Sequence, residues 1–325
     1  MTRRWAFALA ALVLASLPLW LANSYYVNIA SQILIWAMLA LSVNVLAGYA
    51  GLVSLGHAGL FGVACYAVAL SAAAGMGHLA AAFVALAAIL AATALFALLS
   101  LRASGISFLM ITLALGQILW GIAYRWISLT QGDNGINLAA RPAPFGISLE
   151  SPPAFYLATL AVFCLVVAAL EVFTASPFGA SLAGTRDQPQ RMTALGYHVW
   201  LIRFLAFLFS GLIAGVAGLF FVYYDKFVSP HALSLATSAE ALLMVISGGT
   251  GTLIGPIAGA ALVVIMKYVA SAYIERWNLV LGAIFVAIVL FMPEGLVPGT
   301  LRLWRAVRGA RVGGADLGPA GRGAP

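Results

Sequence analysis

Gly48-Tyr49-Ala50-Gly51-Leu52-Val53-Ser54-Leu55-Gly56-His57-Ala58-Gly59 interrupts a stretch, Trp5 to Leu101, that contains no Lys, Arg, Asp or Glu. A charge-free run of that length belongs in a bilayer. Four glycines, a serine and a histidine within twelve positions, however, are not the composition of an ordinary lipid-facing helix. The chain therefore breaks, packs closely or lines a path at this point. Composition fixes the class: 64% hydrophobic and 8% charged among 325 residues lies far outside the range of soluble domains. Continuous apolar runs, without the alternation of barrel strands, point to an all-α, polytopic integral membrane protein.

Working outward from the run, spans are expected at Trp5–Ala22, Asn28–Ala47, Val53–Ala74 and Leu79–Leu101, before the first internal charge at Arg102. Further spans follow at Gly105–Tyr124, Ala154–Phe173 and Trp200–Tyr223, separated by the polar segments Arg125–Pro153 and Thr174–His198. Ala239–Ser247 is too short for a full crossing and ends at Gly248-Gly249-Thr250-Gly251, after which Leu253–Ala272 is long enough. Two arms bent back at these glycines, then a last span at Trp277–Met292, give about ten transmembrane or half-membrane helices. That number puts Arg3, Arg4, Arg102, Arg186, Arg191 and the arginines at 302, 305, 308 and 311 on the cytoplasmic side, with both termini. The transmembrane unit covers residues 1–299, and 300–325 reads as a basic, then disordered, cytoplasmic tail. Arg3-Arg4 before a short apolar stretch also resembles a signal peptide, although loss of that span would leave an odd count.

Several function classes are disfavoured. Cys65 and Cys164 lie inside apolar spans and read as packing residues, and the four histidines, His57, His78, His198 and His231, have no metal-ligand spacing. The net charge of +7 reflects arginines at the cytoplasmic face and contact with anionic lipid, not nucleic acid. No G-x-x-x-x-G-K-[ST] loop is present, and the glycines at 248–251 lack its lysine, so the chain has no ATPase site or cofactor of its own. Glu171, Arg203, Glu240 and Lys267 fall near predicted span ends, where their heads reach water, so ion coupling is disfavoured and energy is expected from a partner.

A shift of 200 positions superposes Val45, Gly48, Gly51, Ala58, Gly59 and Val63 on Val245, Gly248, Gly251, Ala258, Gly259 and Val263. Matching discontinuous helices in two halves, about 28–125 and 200–292, are a transporter pattern. Close packing through small residues, including Gly211-x-x-x-Gly215 and Gly255-x-x-x-Gly259, explains the same glycines.

Together with Leu41–Leu46, the opening run closely resembles the permease subunits of binding-protein-dependent branched-chain amino-acid ABC importers. The resemblance continues through Gly105–Gly116, Ser128–Ile136, Val245–Pro256 and Leu290–Leu296, and covers about residues 28–299. It implies a bacterial cytoplasmic-membrane importer with a second homologous permease, two ATP-binding subunits that use the ATP, and an extracytoplasmic solute-binding protein. By the same resemblance, Thr185–Gly196 is the ATPase-coupling loop, with Arg186, Asp187, Ala194 and Gly196 as its marked positions; Gln188, Pro189 and Gln190 depart from the family's usual Glu- and Ala-rich pattern. Asp133, Asn134 and Gly135 form a turn suited to touching the binding protein.

Candidates for the translocation path are Asn44, Tyr49, Ser54, His57, Gln117, Thr250 and Thr252. The glycines Gly48, Gly51, Gly56, Gly59, Gly248, Gly249, Gly251 and Gly255 would form the helix breaks. Each polar side chain has a bland alternative, a hydrogen bond to a neighbouring helix. The alternative to an ABC permease is an autonomous secondary carrier or channel for a small solute.

Overall fold

Asn23 starts the first long helix, its side-chain oxygen accepting the Tyr25 amide at 2.9 Å and so capping α1, Ser24–Asn44. The computed structural model describes residues 12–18, 20, 23–138, 141–142, 148–273, 277–291, 295–297 and 299. Most of the expected span Trp5–Ala22 and all of the tail 300–325 lie outside the described residues. Helix α1 is apolar all round, and every residue from Leu34 to Asn44 is buried, which makes it a central post. It continues as a π-turn, Val45–Ala50.

Among the described residues the α-helices of six or more residues that follow include α2 (His57–Ala73), α3 (His78–Ser100), α4 (Ile106–Arg125), α5 (Pro152–Ala175), α6 (Pro177–Asp187) and α7 (Pro189–Ala194). They are followed by α8 (Val199–Asp225), α9 (Leu235–Gly248), α10 (Ile254–Tyr273) and α11 (Trp277–Phe291). Helices α5, α8, α9 and α10 pack around α1, and α8 also packs on α2 and α3. Among the described residues six helices are long and apolar enough to cross a membrane, with α2 and α9 shorter.

Three expected boundaries are corrected, the first being that the span placed at Asn28–Ala47 already starts at Ser24, where Asn23 caps it. The span placed at Val53–Ala74 is helical only from His57, because Gly51 adopts a left-handed φ of 69° and the chain stays non-helical through Gly56. The piece placed at Ala239–Ser247 begins earlier, at Leu235, because the Ser234 hydroxyl accepts the Thr237 amide at 3.3 Å and caps the helix upstream. The polar segment Thr174–His198 folds into α6 and α7, and Pro189 occupies the first turn of α7, where a missing N–H costs no bond. One small sheet departs from an all-helical chain: β1 (Ile136–Asn137) pairs antiparallel with β2 (Phe227–Val228).

Small residues set the helix contacts. A Cβ on Gly218 would overlap the Phe61 carbonyl, and one on Gly215 would lie 2.8 Å from Ile89 Cγ2, so α8 seats against α2 and α3 at backbone range. The Cys65 thiol donates to the Gly218 carbonyl at 3.2 Å in the same seam; both cysteines are free thiols. Between α9 and α10, Gly248 abuts Gly255 and Gly259 abuts Met244, an antiparallel register that makes the Gly248–Gly251 break a true reversal.

Candidate translocation and coupling site

The two glycine breaks meet. Asn44, buried at the end of α1, donates from Nδ2 to the Thr252 carbonyl at 2.8 Å, while its Oδ1 accepts the Gly251 amide at 2.9 Å. One amide side chain thus satisfies a donor and an acceptor of irregular, partly buried backbone in an apolar bundle. Gly48 lies against the same groups: a Cβ there would overlap both Asn44 Oδ1 and the Gly251 backbone. Gly295 closes the knot from the far end of the chain, with space for a Cβ filled by the Gly248–Gly249 backbone. The breaks differ in form, one being a π-turn followed by a non-helical segment and the other a tight hairpin.

The first break is also tied to α6. Arg186 donates from Nη1 to the Gly48 carbonyl at 2.8 Å and from Nε to Asp187 at 2.8 Å. Its aliphatic stem lies over Gly51, where a Cβ would be 2.5 Å from Cγ. Arg203 on α8 donates to the Thr185 carbonyl at 2.7 Å, holding the last turn of α6 from the other side. Ala194 and Gly196 are exposed on and just after α7, and Gly196, at φ 87°, takes the left-handed conformation that ends the helix. Leu195 and Tyr197 beside them are exposed as well.

The other path candidates separate. His57 is fully buried, with Nε2 2.9 Å from Ser210 Oγ, which donates in turn to the Ser42 carbonyl, and its ring stacks on Phe207. Ser54 is buried and accepts the Gly56 amide at 3.2 Å. Thr252 accepts the Gly255 amide at 3.0 Å at the start of α10, whereas Thr250 is exposed beside it. Of these contacts, the His57–Ser210 bond joins neighbouring helices, and those of Ser54 and Thr252 are local to the breaks. Tyr49 is half-buried against the cluster formed by Leu46, Ala50 and Phe207. Gly56 and Gly59 seat against Thr112 and Gly116 of α4. Gln117 lies elsewhere, in a groove of about 410 Å³ that it shares with Trp120, Tyr124, Asp133, His231 and Ser234. Gln117 and Asp133, chosen for different reasons, are thus neighbours at one end of the molecule.

That end carries a feature the sequence did not announce. Asp133 and Asn134 are exposed in a 3-10 turn, and Gly135, at φ 66°, fits where a Cβ would strike the Val228 carbonyl, which lets β1 start beside β2. Arg141 donates to the carbonyls of Tyr223 and Tyr224 at 3.0 and 3.2 Å, placing a cation at the C-terminus of α8. Its guanidinium stands 4.5 Å from the Phe155 ring centre. Burial lowers the Arg141 pKa, and the neighbouring Glu150 opposes that shift. Glu150 accepts from Lys226 at 2.7 Å and from the Arg141 amide at 3.0 Å, which together hold its carboxyl below the usual range. A depressed carboxyl stabilises above its unfolded pKa of about 4.3 and loses that contribution as pH falls through the folded value. The protection of the Leu138 amide, which donates to the Lys226 carbonyl at 2.8 Å, relative to its intrinsic exchange rate at each pH should therefore fall on acidification, and Glu150→Gln should show the lower protection already at neutral pH. Equal rates for both proteins at pH 7 would show that the ion pair does not hold the ribbon.

Comparison with known proteins accords with this architecture. Residues 25–289 match the family described as branched-chain amino acid transport system / permease component. The chain is 28% identical over 333 residues to the high-affinity branched-chain amino acid transport system permease protein LivM of Escherichia coli (strain K12), covering 94% of this chain and 78% of that protein. The LivM of Salmonella typhimurium is also 28% identical, over 90% of this chain and 75% of its own. A shorter similarity, 34% over 122 residues, covers 35% of this chain and 34% of the autoinducer 2 import system permease protein LsrC of Yersinia enterocolitica. No solved structure matches. With the family matched across all the long helices, from α1 to most of α11, the chain belongs to the permease component family of the branched-chain amino acid transport system.

Proposed function

We propose that this permease subunit pairs with a second, homologous permease to form an inward path for branched-chain amino acids or related small polar solutes, driven by two separate ATP-hydrolysing subunits and fed by an external binding protein. Ten crossings, with both termini and the α6–α7 segment in the cytoplasm, agree with the placement of the arginines. The ribbon end, with Asp133, Asn134 and the Gln117 groove, then faces outward to receive solute. The observation that carries the reading is the bond from Arg186 to the Gly48 carbonyl, because it joins a short, exposed helical segment directly to irregular backbone inside the membrane. A push on α6 is thereby delivered to the break without intermediates.

Reconstitution of the chain with its partner subunits tests this. Uptake that continues with a hydrolysis-dead ATPase, or by this chain alone, would sink the reading in favour of an autonomous carrier. Within the assembled importer, Arg186→Ala should lower ATP-driven uptake by about tenfold, the scale of one charge-assisted hydrogen bond, while the ATPase still co-purifies. Asp187→Ala, which alters the exposed side of the same turn, should instead weaken co-purification. If both variants behave alike in both assays, Arg186 has no separate role in transmission.

A further inference from the structure

We propose that a cavity of about 250 Å³ at the ribbon end of this chain is a binding site for a zwitterionic α-amino acid with an apolar side chain, built from this subunit alone. The proposal rests on the transport reading above and gives the solute a resting place within it.

The cavity is lined from two chemically opposite sides. Trp36 of α1, Phe61 of α2 and Phe221 of α8 form an aromatic wall: Trp36 and Phe61 stack at 6.3 Å, Phe221 lies 5.0 Å from Phe61, and it meets Trp36 edge-on at 6.2 Å. Trp36 and Phe61 are buried, so this wall is the dry side. Facing it are Asp225 from the end of α8, Glu240 from α9 and Lys267 from α10. Asp225 is exposed and forms the wet side, while Glu240 and Lys267 are partly covered. Gln32, one turn from Trp36 on α1, also lines the cavity, and its Oε1 is buried without a hydrogen-bond partner among the described residues.

The tertiary fold brings two carboxylates and an ammonium from three apolar helices to one cavity, where groups of both signs are presented to a solute beside an aromatic wall. The sequence placed Glu240 and Lys267 at separate span ends, and only the tertiary fold joins them to Asp225. A zwitterion meets groups of both signs at once: its ammonium suits the carboxylates, its carboxylate suits Lys267, and the net charge of the site is unchanged. The apolar side chain then lies on the ring wall, and Gln32 Oε1 gains an N–H donor from the ammonium. The volume corresponds to about eight waters at ~30 Å³ each, which admits a small amino acid and falls short of the roughly 300 Å³ at which drug-sized sites begin.

The test uses the assembled importer in proteoliposomes. ATP-driven leucine uptake by the wild type is measured first, since its absence would remove the transport reading itself. Gln32→Cys is then introduced with Cys164→Ser, and the parent without the Gln32 change, which keeps the buried Cys65, serves as the blank. Reaction of the new thiol with a small cationic methanethiosulfonate is followed without the binding protein. Leucine at about ten times its dissociation constant should slow labelling roughly tenfold by occupancy. Leucinamide and isocaproate, each lacking one charge, should protect far less, and Lys267→Met or Asp225→Asn should abolish protection by leucine. A thiol that never reacts, or reacts equally with and without leucine, overturns the proposal and leaves transport standing. Equal protection by all three compounds overturns zwitterion recognition.

Discussion

Replacing Gly48 by valine should abolish ATP-driven uptake and sharply reduce the yield of folded protein. The space a side chain would enter is already filled by the backbone at Gly251, which cannot turn aside, and by Asn44 Oδ1, whose amide is pinned by its two hydrogen bonds to Gly251 and Thr252. Overpacking against movable neighbours costs about 1–3 kcal/mol, and a rigid backbone obstacle puts this substitution at the upper end of that range or beyond. The same residue holds the carbonyl that receives Arg186, so any shift that relieves the clash also displaces the contact with α6. Thermal unfolding of the purified chain and uptake by the assembled importer measure the two effects separately. A valine variant with wild-type melting and uptake would show that the breaks need not touch.

Asn44→Ala is the second large effect, and it isolates the polar half of the same junction. The substitution leaves the Gly251 amide and the Thr252 carbonyl without their partner. Each side-chain hydrogen bond contributes roughly 1 kcal/mol in such settings, and partly buried orphaned groups add to the loss, so about 2–3 kcal/mol is expected. Asn44→Asp sharpens the comparison: a carboxylate still accepts the Gly251 amide but cannot donate to Thr252 and places a charge at a buried position. It should be worse than alanine, because an unpaired buried charge costs more than a cavity. An aspartate variant as stable as the wild type would mean that this side chain is in contact with water.

Much of the fold was legible because the bilayer makes one demand that composition must meet, an apolar run for each crossing. The starts of α3, α4, α5 and α8 fall within about two residues of the spans expected from the sequence. The failures have local causes. Ser234 extends α9 upstream through a cap that a hydropathy pattern does not weigh, and Gly51 stops the helix before Val53. Within the site, glycine spacing located both breaks but could not show that they touch, since a bond from Asn44 to a residue 207 positions away leaves no periodic trace. Arg186 was legible as part of a basic segment, not as a side chain turned inward toward Gly48. His57, the most conspicuous polar residue of the opening run, is bonded to Ser210, a partner 153 positions distant. The cluster of Asp225, Glu240 and Lys267 was hidden for the same reason, Glu240 and Lys267 looking like separate span-end residues when read alone.

The π-turn at Val45–Ala50 has a mechanical consequence of its own. A π-turn accommodates one residue more than the α-helical winding on either side of it. Rewinding these six residues as regular helix would require no unfolding, yet it would carry the following chain about 1.5 Å along the axis and about 100° around it. Asn44 sits at the upstream edge of the turn and Gly48 near its middle, so the clamp on one side and the Arg186 bond on the other cannot both survive that rotation. Any rewinding of the break therefore requires release of the Asn44 or the Arg186 hydrogen bond, and the two bonds together hold it in the winding seen here.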